Sequence, residues 1–492
     1  MSPGRRHRPL VPIALAVALL ATLYAAPVGA ASTPTLRLFV SSTQVTVERG
    51  RRDVVDVDPG AFITAVGGAF ELRVGRPDYD TPITVKQVDA QTGAVLRTFS
   101  DENLDGWFGL KDFAHYQVVD AQGQTVLADT VTFCPNGYIR ERVSDDSPLA
   151  TSYPYSCGSS SPFTRGSVWG IDRGWASSLI GGGDYYGGLR WRAERSVYTV
   201  KIQIDPAWVS LLSIAPSDAS AQVQVTAVDG GMSAPARTPS PSSTYAPYPK
   251  TPILTTPPAE TLPDFVALPG WGISAYPRKG HDYLTFNATE WNAGPGTMLV
   301  DGFRSGQAST LDAYQYFLLD GQPVGRALIG QLEYHAGRHN HWHFQEFTQY
   351  SLLDADKRTV QVSDKESWCL APTDAIDLTV PNANWRGSSQ DLFTSCGYNE
   401  PGALWVREVL DVGWGDTYGQ DVNSGAFDIS DLPNGRYYLR TQVDPTGEMY
   451  EVSADNNIQD RLIRLRGKPG HRRVVVPPWH GIDTEHYCSY CG

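Results

Sequence analysis

The sequence predicts an all-β protein made of two β-sandwich-like domains, related by internal duplication and joined by a proline-rich linker. Three observations point there. Short alternating runs rich in Val, Ile, Tyr and Thr, such as "VYTVKIQID" and "RYYLRTQVD", are broken by Gly, Asn and Asp, and no long 3.6-residue apolar period appears. Nine prolines fall between Ser233 and Asp264, in a stretch with little that could form a core. The halves on either side share an ordered series of features, described below.

Taken in chain order, residues 1–30 read as a secretory signal. Arg5, Arg6 and Arg8 precede an apolar run from Leu10 to Ala26, and "PVGA" offers a small-residue cleavage site near Ala30. That run is too short and too early for a membrane anchor, and no later segment is apolar enough over a bilayer's width, so a secreted, extracellular protein without a transmembrane anchor is expected. Loss of the signal removes three arginines and no acids, taking the formal charge from −13 to −16. Such a chain lacks the clustered cations that nucleic acid requires. It would draw in cationic partners such as amines or lysine-rich peptides, although charge alone fits plain solubility as well.

A first β domain is expected over 35–228, the Pro/Ser/Thr-rich linker over 229–261, a second β domain over 262–468, and a tail with a CxxC over 469–492. Six cysteines, all beyond the signal, suit an oxidising compartment. Their spacing suggests the pairs Cys134–Cys157, Cys369–Cys396 and Cys488–Cys491. The duplication rests on parallel text. "FAHYQVVDAQGQTVLADTVTFCPNG" from Phe113 runs beside "FTQYSLLDADKRTVQVSDKESWCLAP" from Phe347, each with F-x-x-Y, a strand, a D-A turn, a second strand, and an aromatic before Cys. A later Cys-Gly (Cys157, Cys396) and the pair "GIDRGWASSL…YTVKIQIDP" and "LDVGWGDTYG…YYLRTQVDP" keep the same order. A period this long means two homologous domains, not a solenoid.

The halves differ where chemistry is concentrated. The second has "HNHWHFQEF" where the first has "LDGWFGLKDF", without histidine. On a strand, His339, His341 and His343 would share one face, with Asn340 and Trp342 on the other. Three converging neutral imidazoles suit Cu, Zn or Ni, and spacing alone does not choose between them. His335 is a fourth ligand, a hydrogen-bonding support or a surface residue.

"HNHWHFQEFTQYSLLDA", then "DKESWCL", then "GWGDTYGQD" resemble the catalytic domain of the lysyl oxidase family of copper amine oxidases. The resemblance spans roughly Leu262 to Arg466. It implies copper on His339, His341 and His343, and a lysine tyrosylquinone cofactor formed from Lys365 of "DKESWC" and Tyr418 of "DTYGQD". The sequence departs from the family pattern at Asp364, where the family has histidine, and in a one-residue longer spacing between His335 and His339. The family also binds calcium, which implies a site from Asp264 and the Phe265 carbonyl of "LPDF" with Glu451, Asn456 and Asn457 of "EVSADNNIQD". Ser453 replaces an aspartate there, with Asp455 a nearby substitute. Oxygen donors of this kind suit a hard cation.

The implied activity is oxidation of primary amines, as lysyl side chains or small amines, by O2 to aldehydes, with release of ammonia and hydrogen peroxide. No unmodified side chain supplies the electrophile and electron sink this needs, hence the cofactor. Asp416 is a candidate general base, or a turn cap. The first half carries Thr130 and Leu179 about where Lys365 and Tyr418 stand, so it is expected to be a non-catalytic, degenerate copy, with His115 structural. The competing reading is a non-catalytic extracellular protein that holds copper or calcium on a β scaffold. A zinc hydrolase is disfavoured, since nothing like H-E-x-x-H occurs.

Overall fold

The computed structural model describes residues 33–486 except 138, 145–146, 159–160, 181–187, 230–247, 249, 305–308, 336–339, 364–366, 389–395, 399–400 and 423. The signal segment, most of the linker, and the cysteines of the final CxxC lie outside these residues, as do His339 and Lys365. The described chain is mostly strand, with one short α-helix, Pro206–Leu212, which starts on an Asp205 side chain accepting from the Ala207 N–H. No helix among the described residues is long and apolar enough to cross a membrane.

The sheets of each half run in related orders. In the first half, Gly166–Ile171, Phe70–Gly75, Thr84–Val88 and Val95–Phe99 lie side by side in that order. In the second half the sheet runs Trp405–Leu410, Met298–Arg304, Leu311–Leu319, Gln322–His335 and then His341–Phe344. A second pair of sheets runs Thr125–Phe133, Leu110–Val119, Val197–Ile204, Ser220–Asp229, Gln44–Arg49 in one half, and Thr359–Val362, Thr348–Leu353, Gly435–Val443, Ile458–Arg466, Arg473–Val475 in the other. A third pairs Ala61–Val66 with Trp175–Ser178 in the first half and His281–Asn292 with Trp414–Gln420 in the second. Each half has its own large apolar core.

Alternation decides which side chains enter those cores. Along His281–Asn292, Leu284, Phe286 and Ala288 are buried in the second core, and Trp342 and Trp368 are fully enclosed there. The disulfides Cys134–Cys157 and Cys369–Cys396 are both present, as the spacing suggested.

Two boundaries differ from the compositional reading. Proline density placed 250–261 in a spacer, yet Ile253 bridges Arg326, the Leu254 N–H donates to the Arg326 carbonyl at 2.9 Å, and the Arg326 N–H donates to the Pro252 carbonyl at 3.0 Å. Prolines cannot donate to a ladder, but the extended chain between them adds to the open edge of the Gln322–His335 strand. Likewise the tail folds back at least to Glu485: the Gly272 N–H donates to the Thr484 carbonyl at 3.0 Å, and Arg461 donates to the Thr484 hydroxyl at 2.9 Å.

The two halves are packed together rather than strung apart. The Leu378 N–H donates to the Gly166 carbonyl at 2.9 Å, and the Arg165 N–H to the Ile376 carbonyl at 2.6 Å. Tyr153 of the first half stacks on Trp385 with ring centroids 5.9 Å apart, and Arg73 covers the other part of that indole at 4.3 Å.

Candidate active site

The histidine segment forms an edge strand, His341–Phe344, antiparallel to Gln322–His335, with His341 opposite His335 and His343 opposite Glu333. The strand begins at His341. Asn340 is left-handed (φ 53°), and its N–H donates to the His335 carbonyl at 2.7 Å, closing the loop. The expected alternation is seen for His341 and His343, with Trp342 between them on the reverse face. His339 lies outside the described residues.

His341 and His343 are buried, 7% and 0% exposed, with ring centroids 4.7 Å apart. His335 joins them, its ring 4.2 Å from that of His343. The Ser367 hydroxyl sits 3.3 Å from His343 Nδ1 and 3.4 Å from His335 Nε2, so one side chain orients two rings. Imidazoles held this way suit copper, zinc, iron or nickel alike. Among the described residues no three His, Cys, Asp or Glu side chains stand at metal-ligand spacing, and that holds for His335, His341 and His343 as well.

Tyr418 lies on Trp414–Gln420, whose register with His281–Asn292 sets Asp416 opposite Glu290, Tyr418 opposite Ala288 and Gln420 opposite Phe286 on the inner face. On the other face the Thr289 and Thr417 hydroxyls meet at 2.7 Å. The Tyr418 hydroxyl donates to the Cys369 carbonyl at 2.8 Å and accepts from the Cys369 N–H at 3.1 Å. Trp368 meets its ring edge-on, centroids 4.0 Å apart. Burial, then the charges of Asp416 and Glu408, hold this phenol well above its ordinary range.

One three-residue run ties the two parts together. Ser367 touches His335 and His343; Trp368 exchanges backbone hydrogen bonds with Phe344 at 2.6 and 2.9 Å; Cys369 holds the Tyr418 hydroxyl. Lys365 precedes this run and lies outside the described residues. Its described flank on the other side, Ser363, donates from its N–H to the Tyr350 carbonyl at 2.9 Å.

Three buried carboxyl groups surround this region, of which the sequence reading named only Asp416. Asp416 and Glu408 are each 1% exposed and Glu290 0%. Asp416 accepts from the Ala371 N–H at 3.3 Å, Glu408 from the Leu370 N–H at 2.9 Å, and Glu290 from the Tyr350 hydroxyl at 3.1 Å. Burial pushes all three up, Glu290 to about 8. The turn-cap alternative for Asp416 does not describe it, since it is a mid-strand residue. The missed signal was an acid in register with apolar neighbours, as in Phe286, Ala288, Glu290 and in Val406, Glu408, Leu410.

The expected calcium residues meet at the start of the second half. Asn456 Nδ2 donates to Asp264 at 3.2 Å, Asn457 Nδ2 to Glu451 at 2.6 Å, and the Phe265 N–H to Glu451 at 3.2 Å. The Asn456 and Asn457 side-chain oxygens are shielded from solvent and have no hydrogen-bond partner among the described residues. Orphaned oxygens beside two carboxylates fit a hard cation. Burial, with Asp444 and Asp264 nearby, raises Glu451 to about 7. Asp455, the suggested substitute, is exposed.

In the first half, Thr130 pairs with His115 across the sheet, and His115 Nε2 lies 2.7 Å from Asp205, a link between a strand and a helix cap. Leu179 is buried in the first core.

The family model for lysyl oxidase matches residues 327–473, which contain the imidazole cluster, Tyr418 and the calcium residues from Glu451 on. Residues 327–473 are a lysyl oxidase domain. Over 147 residues the chain is 30% identical to lysyl oxidase homolog 4 of Mus musculus, a stretch that is 30% of this chain and 17% of the mouse protein. It is 31% identical over 132 residues to protein-lysine 6-oxidase of Homo sapiens, covering 26% of this chain and 27% of the human protein. Lysyl oxidase homolog 2 of Bos taurus is 28% identical over 130 residues, 15% of its length. The chain thus spans about a quarter or less of these curated relatives.

Proposed function

We propose that the protein is a secreted, copper- and quinone-dependent amine oxidase that converts primary amines, as lysyl side chains or small amines, to aldehydes with O2. The observation that carries this reading is the Ser367–Cys369 run, which joins the imidazole cluster to the Tyr418 hydroxyl within three residues. His341 and His343, with His339, would hold copper, and His335 supports them through Ser367. When bound, copper together with O2 would supply the oxidation of the Tyr418 phenol, and a quinone joined to Lys365 would supply the electrophile and electron sink.

The chain's own residues perform the rest. The backbone of Cys369 fixes the Tyr418 hydroxyl by a donor and an acceptor, so the ring cannot swing out of the inner face. Trp368 covers the ring edge and, with Tyr350, keeps water from that side. Asp264, Glu451, Asn456, Asn457 and the Phe265 carbonyl would hold calcium, tying the first strand of the domain to the loop before Ile458–Arg466. The first half is a non-catalytic copy of the same domain. The matched strand orders of the two halves support the duplication.

Peptide mass mapping of the protein secreted in copper-containing medium tests the reading. A covalent link between the segments holding Lys365 and Tyr418, missing from a His341→Ala variant, is expected. Both segments unmodified in copper-loaded protein would leave a metal-binding β module without the quinone.

A further inference from the structure

The inner face that carries Tyr418 holds more acid than amine oxidation by a tyrosine-derived cofactor explains. Glu290 and Asp416 are direct cross-strand partners, and residues so placed have Cβ atoms about 4.5–5.5 Å apart. Asp416 shares its face with Tyr418, two residues on. One oxygen of each acid is occupied: Glu290 Oε1 accepts from Tyr350 and Asp416 Oδ2 from the Ala371 N–H. The other oxygen of each, Glu290 Oε2 and Asp416 Oδ1, is shielded from solvent and has no hydrogen-bond partner among the described residues.

Among the described residues, the groups that act on the pair include no cation. Tyr350 faces Glu290 from Thr348–Leu353, Glu408 acts on Asp416 from Trp405–Leu410, and Asp374 acts on it from Asp374–Ala375, while Tyr418 follows on the same strand. Two ionised carboxylates directly opposed in a dry interior repel each other and forgo their solvation. A single proton between the two free oxygens removes one charge and gives both atoms a partner.

We propose that Glu290 and Asp416 share one proton, and that this pair accepts the proton released when the carbon–hydrogen bond beside the substrate nitrogen breaks. Asp416 is the acceptor, and Glu290 is a positioning residue that acts through it. The proposal rests on the amine-oxidase reading for its second clause alone. The overall change is R–CH2–NH2 + O2 + H2O to R–CHO + NH3 + H2O2. The electron pair of the broken carbon–hydrogen bond ends on oxygen. Its proton neutralises the pair's single negative charge, so that the pair briefly holds two protons. One proton then leaves toward the peroxide, whose formation from O2 consumes two, the second being the proton lost from the substrate nitrogen, and the pair returns to its starting state. Burial pushes both acids up, Glu290 to about 8, in the direction a base acting near neutral pH needs.

Infrared difference spectroscopy on the full metal-free chain at pH 7 tests the shared proton without any catalysis. Wild-type protein should show the carbonyl stretch of a protonated buried carboxylic acid. In the wild-type-minus-variant difference, where the bands of other buried acids such as Glu408 cancel, that band should appear as lost in Glu290→Gln, whose amide still accepts from Tyr350 and donates to an ionised Asp416, and also in Asp416→Asn. No such band in wild type, or the same band in both variants, overturns the shared proton. The second clause is read in copper-loaded protein with butylamine as the probe. In Glu290→Gln the acid limb of the rate profile should shift by about one pH unit or more, because a fixed amide donor replaces the shared proton beside Asp416, with the Lys365–Tyr418 link intact. An unmoved limb in an active variant overturns the role in proton transfer. Wild-type protein without the link or amine turnover overturns the oxidase reading, and the infrared result then decides the shared proton by itself.

Discussion

Replacing Glu290 by Gln should make the protein more stable at alkaline pH and leave it nearly unchanged at mildly acid pH. The carboxyl is fully buried and pushed to about 8 from an ordinary 4.5. Between those values the folded chain holds a proton that the unfolded chain has released. Stability is therefore full below about pH 4.5 and declines as pH rises through the folded value. Each pH unit of displacement is about 1.4 kcal/mol, so 3.5 units give an upper limit of about 5 kcal/mol, most of it lost by pH 8.5. Gln is neutral throughout and keeps the Tyr350 hydrogen bond, so it lacks this slope. Urea unfolding of wild type and Glu290→Gln, with disulfides intact, at pH 5 and pH 8.5 measures the difference. The gap between the two proteins should open by several kcal/mol in favour of the variant. A gap that stays constant across that interval refutes the claim that Glu290 is neutral in the fold at neutral pH.

Further outcomes follow from other contacts. Tyr418→Phe should abolish amine turnover and cost about 1–3 kcal/mol, because the Cys369 N–H and carbonyl lose their buried partner; a peroxide-coupled assay and an unfolding curve check both. His343→Ala should lower bound copper per chain by metal analysis while the Cys369–Cys396 disulfide still forms, and unchanged copper content would remove His343 from the ligand set. Calcium affinity measured by calorimetry should fall by up to about tenfold per pH unit below pH 7, since Glu451, raised to about 7, must shed its proton before it can ligate; pH-independent affinity would exclude Glu451. Removing the Cys369–Cys396 link, which closes a loop of separation 27, should cost about 3–4 kcal/mol, read as a lower unfolding midpoint.

Much of this arrangement was legible in the residues because it depends on local periodicity. Alternation in "VYTVKIQID" and "RYYLRTQVD" found the strands Val197–Ile204 and Gly435–Val443, and cysteine spacing found two disulfides. What was not legible depends on contacts between distant segments. Nothing near Glu290 in the chain shows that Asp416 will stand opposite it, because register between strands over a hundred residues apart is set by the whole sheet. His335 was ambiguous for the same reason: only its pairing with His341 across the edge ladder brings its ring against His343. The left-handed backbone at Asn340 was not legible, because the alternating pattern carries no signal for it. Composition misplaced 250–261 because proline counts report backbone stiffness, not whether an extended segment finds an open sheet edge.

The first half offers an internal control on whether the buried acids are structural necessities. Its ladder between Ala61–Val66 and Trp175–Ser178 sets Thr64 opposite Ala176 and Phe62 opposite Ser178, neutral pairs throughout. The corresponding ladder in the second half sets Glu290 opposite Asp416 and places Tyr418 opposite Ala288. If both descend from one domain, as the matched strand orders suggest, this ladder can be built from uncharged side chains. Burying two opposed carboxyls costs stability that such pairs avoid. The half that carries this cost is the half with the imidazole cluster and the enclosed phenol. Under the proposed duplication, the opposed acids on the Tyr418 side fit a role at that ring, whereas the buried acid of the first half, Glu71, is paired with Arg73 and Tyr153.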